Sequence, residues 1–181
     1  MTGMQTIQRR VAAALGAGAI AITLNVLALW SADLIHLRTA HGGLLKLLVR
    51  LAGVSAPQSG AFNIAFHVMA GLGMAIVYGL LLEPLWRGPP LLLGLVYAAA
   101  VWIANAFVVL PFIGEGIAGS ATLGIAGILW FAAAHTVFFV ALSLLFDKMI
   151  EAEWNHHRQR TGRGSDNREG QPTNSGNPTA P

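Results

Sequence analysis

Twenty consecutive residues, Val11 to Trp30, contain no Asp, Glu, Lys or Arg, and three further runs, 61–82, 91–110 and 121–146, share that property. A helix of about 20 residues crosses the ~30 Å hydrocarbon core of a bilayer. Backbone polar groups in lipid must be satisfied internally, so only helices or a closed barrel can cross it. The runs are continuous rather than alternating, which excludes a barrel. Charged residues make up 10% of the 181 and hydrophobic ones 55%, where a soluble domain carries roughly 25% charged. The sequence therefore predicts an all-α, polytopic membrane protein with four transmembrane helices and a short interfacial helix between the first and second.

Three regions follow: a cytoplasmic N-terminus (1–10), a four-helix transmembrane domain (11–150) and a disordered cytoplasmic tail (151–181). Arg9 and Arg10 before the first run resemble the start of a signal peptide. Twenty apolar residues exceed the ~7–15 of such a peptide, so the run is expected to stay as an anchor. The tail is "NHHRQRTGRGSDNREGQPTNSGNPTAP" from Asn155 onward, too poor in apolar residues to offset its ordering entropy.

Arg9, Arg10, Arg87, Lys148, Arg158, Arg160, Arg163 and Arg168 fall on the side of both termini, against Arg38, Lys46 and Arg50 on the other. The excess of basic residues predicts that both termini are cytoplasmic. That placement of the basic residues also accounts for the formal charge of +3, with no nucleic-acid surface implied. With no cysteine in the chain, disulfides, thiolate metal sites and cysteine nucleophiles are excluded.

"HGGLLKLLVRLAG", residues 41–53, sets Leu44, Leu47, Leu48 and Leu51 on one side and Lys46 and Arg50 on another. This amphipathic helix is too short to span. Anchoring in the membrane interface is the expected role, and a cap over the outer mouth is the alternative.

Each span carries a polar side chain on a stripe of small residues. The stripes are Ala14–Gly18–Ala21–Asn25, Asn63–His67–Gly71–Met74–Tyr78, Gly94–Ala98–Val101–Asn105 and Ser120–Gly124–Gly127–Phe131–His135. Small residues let helices approach closely in a membrane, so Asn25, His67, Asn105 and His135 are expected to face the bundle interior. The estimated span midpoints put Asn25, His67 and Asn105 about 7 Å to the outer side, with His135 near the midplane.

Two readings result. In one, Asn25, His67 and Asn105 hydrogen-bond across helices and fix their register. In the other, the polar layer lines a pocket open to the outer side, with His67 titrating. Haem ligation by His67 and His135 would need the two rings at one height, whereas their expected depths differ by around 9 Å. No spacing supplies a third zinc ligand on these helices. Asp33, His36, His41 and Glu115, on the outer side, are expected to be interfacial polar residues rather than a metal site. No phosphate loop, G-x-S-x-G or HExxH is present, and no nucleophile–base pair is visible, so neither catalysis nor a cofactor is expected.

His67 eleven residues before Tyr78, Gly94, the "LPFIG" corner and His135 followed by aromatics resemble the YagU-like family of small bacterial inner-membrane proteins. The resemblance covers residues 67–143. It implies a four-helix inner-membrane protein and carries over no activity or catalytic residue. The leading expectation is thus a non-enzymatic structural or accessory membrane protein. Its partners would be the lipid bilayer and a second copy or another membrane protein. The alternative is a small transporter or channel subunit with a polar pocket around His67.

Overall fold

The computed structural model describes residues 3–169 other than His41, Ala56 and Gln58, with side chains as far as Ala152. No strand occurs among the described residues. Among the described residues, four helices are long and apolar enough to cross a membrane: α1 (Gly3–Leu34), α3 (Gly60–Leu85), α4 (Pro90–Phe112) and α5, whose apolar part is Ile125–Ala152. The amphipathic α2 (Gly43–Ala52) lies between α1 and α3. The protein is a polytopic helical membrane protein, as its composition demands. Its lipid-facing surface carries exposed Leu24, Leu27, Met69, Leu95, Val96, Ile103 and Leu129, a burden of apolar area that only hydrocarbon solvates without penalty.

The backbone of α5 continues to Glu169, past the point where the sequence predicts disorder. Once a helix is nucleated, each added residue gains a hydrogen bond without a new nucleation cost, so a polar extension can follow an apolar span. Residues 170–181, the rest of the expected tail, lie outside the described residues.

Helix α1 packs against both α3 and α5, and α4 packs against α5. The first of these contacts is made of small side chains. A Cβ on Gly18 would meet Ala75, and one on Gly79 would meet Ala14, so the backbones come close and dispersion replaces the hydrophobic effect as the packing force. Helices α3 and α4 share no comparable run of contacts. They meet where the rings of Tyr78 and Tyr97 stack, 6.3 Å apart, and where the Tyr97 hydroxyl donates to the Met74 carbonyl at 3.4 Å. Phe139, 4.3 Å from Tyr97, and Phe146, edge-on to Tyr78 at 5.5 Å, complete an aromatic plug. The plug closes the half of the bundle nearer the termini.

Both α3 and α4 widen by one π turn, at Tyr78–Leu82 and Asn105–Val109, and each turn ends two residues before a proline, Pro84 or Pro111. Proline has no N–H and its ring crowds the preceding turn, which favours such a local rearrangement. At the first turn the Glu83 N–H bonds to the Tyr78 carbonyl. The Gly79 carbonyl then has neither its i+4 donor nor an i+5 one, since residue 84 is proline. Arg10 of α1 fills that gap. Its Nε donates to Gly79 O at 2.9 Å, its guanidinium pairs with Glu83, and it lies 5.6 Å from the centroid of the Phe146 ring. A basic residue read from sequence only as a topology signal also ties three helices together.

Candidate functional site

Opposite the aromatic plug the helices diverge around a cavity of about 370 Å³, within the range of small-molecule sites. Its walls are mostly apolar, with Ile22, Val26 and Leu29 from α1, Met74 from α3, and Phe131 and Phe138 from α5. Asn25, His67, Asn105 and His135, expected from sequence to share the bundle interior, all line it, joined by Asn63 and Asp33. It lies between α3 and α4, where direct packing is sparse. Ile64 and Ala104, one on each side of that gap, are exposed.

The four polar residues have different local chemistry. Asn25, only 2% exposed, donates from Nδ2 to the Ala134 carbonyl at 2.9 Å and meets His67 Nε2 through Oδ1 at 2.8 Å. A carbonyl on one side fixes which end of the amide is nitrogen, so His67 Nε2 must be the donor in the second bond. Asn25 therefore joins α1 to α3 and α5. Asn105 departs from the expected cross-helix bond: its Nδ2 donates to Val101 O of its own helix at 2.9 Å. Asparagine four residues after a carbonyl can bond back to it, and that local partner wins over a distant one. His135 likewise uses a local bond, Nδ1 to Phe131 O at 2.8 Å.

The depth expected for His135 needs correction. Asn25 contacts both His67 and the carbonyl of Ala134, the residue preceding His135, so the two histidines lie at nearly one level. The expected span 121–146 started too early and ended too soon. The helix opens at Ile125 and its apolar part continues to Ala152, which puts His135 in the half of the helix away from the chain termini. The height argument against two-histidine ligation therefore falls. Among the described residues, no three His, Cys, Asp or Glu side chains form a group suited to a metal ion.

Helix α2 does more than lie in an interface. Gly42 and the first turn of α2 (Gly43, Leu44 and Leu45) line the cavity mouth. Gly43 packs beside α4, where a Cβ would be in ordinary contact, 3.5–3.6 Å, with the Val109 and Leu110 side chains. Lys46 pairs with Glu115 at 2.6 Å, and Arg50 lies 5.6 Å from the Phe112 ring centroid. The C-terminal end of α4 and the loop after it thus hold α2 as a cap, the reading that sequence ranked second. Leu48 and Leu51 remain 45% and 63% exposed, leaving apolar surface for lipid. Gly42 and Gly53 bound the helix with φ of 69° and 65°, a left-handed backbone that glycine adopts without a Cβ clash.

A second, polar hollow of about 570 Å³ lies beside the cap, lined by Asp33, His36, Arg38, Lys46 and Glu115 among others. His41, grouped with these residues in the sequence reading, lies outside the described residues. The back-bonding of Asn105 escaped the sequence reading, which also ranked the capping role of α2 below interfacial anchoring. The Lys46 and Arg50 spacing was the available signal for the cap.

No family model matches this chain, and no curated protein or solved structure is significantly similar to it.

Proposed function

We propose that this protein is a non-enzymatic binding or transport subunit of a bacterial inner membrane, taking a small, mainly apolar molecule into the cavity between α3 and α4. The observation that carries the reading is a capped, apolar-walled cavity floored by Asn25, His67, Asn105 and His135. A purely structural polar layer would have no need of that space. Sequence alone placed a structural or accessory role first, and the cavity puts binding ahead of it. Resemblance to the YagU-like family is compatible with either role and supplies no ligand.

The test uses a brominated long-chain amphiphile, a fluorescence quencher, with the full-length protein in lipid nanodiscs. Trp30 lines the cavity and reports occupancy as saturable quenching, with Trp30→Phe as the control that removes the reporter. Ala104→Phe, which adds a ring at the α3–α4 gap, is expected to abolish the saturable component while leaving the thermal midpoint within a few degrees. Saturable quenching of the same strength in that variant would overturn the proposed site.

The orientation proposed with this function has both termini in the cytoplasm and the cavity facing the periplasm, supported by the basic residues around both termini. A fluorescent reporter that matures only in the cytoplasm, fused after Pro181, should be bright. A dark fusion alongside an active periplasmic phosphatase fusion at the same site would reverse it.

A further inference from the structure

The polar groups of the cavity wall select a ligand chemistry, because most of their bonding capacity is already committed. In the neutral His135 ring, the Nδ1 proton goes to Phe131 O, so Nε2 carries a bare lone pair. No side-chain polar atom among the described residues is both sealed and unpartnered. His135 Nε2, which has no partner among the described hydrogen bonds, is therefore open to the cavity that its residue lines. Asn105 spends one amide hydrogen on Val101 O and keeps the other, together with its carbonyl oxygen. The two residues thus offer one strong acceptor on α5 and a donor–acceptor amide on α4.

A hydroxyl is a small neutral group that both donates to an imidazole nitrogen and accepts from an amide N–H, without the further polar atoms that a carboxamide would bring into an apolar-walled cavity. A ketone or ester could only accept and would leave Nε2 dry and unpaired. A carboxylate or an ammonium would bring a charge into a mostly apolar cavity, at a desolvation cost that a hydroxyl does not carry. Sparse packing between α3 and α4 leaves a slot toward lipid through which a chain can extend, so a ligand can enter sideways from the bilayer.

We infer that the cavity takes a long-chain alcohol from the membrane, its hydroxyl between His135 Nε2 and the Asn105 amide and its chain in the α3–α4 gap. This rests on the cavity being a binding site, and the experiment separates the two claims. Three brominated probes with the same chain are compared in nanodiscs: the primary alcohol, its methyl ether and the carboxylic acid. The alcohol should bind about tenfold more tightly than the ether, the size of one net hydrogen bond, and more tightly than the acid. His135→Phe should bring alcohol affinity down to that of the ether and leave the ether unchanged, while His135→Gln, which keeps an acceptor, should retain part of the preference. If His135→Phe fails to fold, Asn105→Val should weaken alcohol and ether to the same degree, because both oxygens accept from that amide, and an unchanged affinity of both would overturn the placement. Equal saturable binding of alcohol and ether to the unaltered protein, or tighter binding of the acid, would overturn the alcohol assignment and leave the binding site standing. Absence of saturable binding by all three would overturn both.

Discussion

Gly94→Ala is expected to lower stability by about 2 kcal/mol, the middle of the range for overpacking a close contact, whereas Gly73→Ala should raise it by roughly 0.5–1 kcal/mol. Alanine at either position improves helix propensity, so the difference in sign comes from what the new methyl meets. At Gly94 on α4 the methyl would collide with Ser143 Oγ and lie 2.9 Å from the Phe139 carbonyl oxygen of α5. At Gly73 on α3 nothing stands within 4 Å. The Ser143 hydroxyl can be removed but the Phe139 carbonyl is backbone and can only move with its helix. Gly94→Ala combined with Ser143→Gly should therefore recover part of the loss and not all of it. Reversible unfolding in mixed detergent micelles reads all three variants. Equal effects at Gly94 and Gly73 would mean that α4 does not rest on α5 through this contact.

The same contact explains why the fold was largely legible. A bilayer imposes span length, so four apolar runs announced four helices, and stripes such as Gly94–Ala98–Val101–Asn105 announced which faces would be buried. Gly94 and Ala98 are buried, Val101 and Asn105 line the cavity. Boundaries were less visible. The residues before Ile125 are apolar enough to pass for helix, yet Gly114, Gly116 and Gly119 have φ of 88°, 76° and 81°, and a 3₁₀ turn occupies Ile117–Gly119. Hydropathy is blind to backbone handedness, and the error in the start of α5 became the error in the depth of His135.

What the site lost in translation has a different cause. Periodicity assigns a side chain to a face but not to a partner. It could not tell that Asn25 would bridge three helices while Asn105, on an equivalent stripe, would bond to its own. Nor could it show that α3 would pack on α1 and leave a gap beside α4. That choice follows from particular close fits. A Cβ on Gly71 would come within 2.6 Å of Ile22 Cδ1, and one on Gly18 within 2.6 Å of Ala75 Cβ. Pro84 and Pro111 were in plain view, but the two π turns ahead of them depend on which carbonyl finds a substitute donor, such as Arg10 at Gly79.

Asn25→Leu should cost about 1–3 kcal/mol of stability while changing probe affinity less than threefold. The stability figure is two interhelical hydrogen bonds at about 0.6 kcal/mol on average and about 1.7 at most. Leucine has asparagine's branching with bulkier methyl ends, so part of any loss is repacking, and a double-mutant cycle is needed to isolate the bond. Removing Asn25 Oδ1 leaves the His67 Nε2–H without the acceptor that it has at 2.8 Å, and a stranded donor costs more than the bond contributed. The Ala134 carbonyl suffers less, because its own helix also supplies a donor. A double-mutant cycle with His67→Leu isolates the pair, and Asn25→Leu with His67→Leu together should be less destabilising than the sum of the two single changes. Affinity should be spared because both ends of the Asn25 amide are committed to protein partners, unlike His135 Nε2. The two residues should therefore dissociate in experiment: Asn25→Leu should alter stability and spare binding, and His135→Phe should alter binding with a smaller effect on stability. If Asn25→Leu abolished saturable binding at unchanged stability, the division of the polar layer into a clamp at Asn25 and a ligand contact at His135 would be wrong.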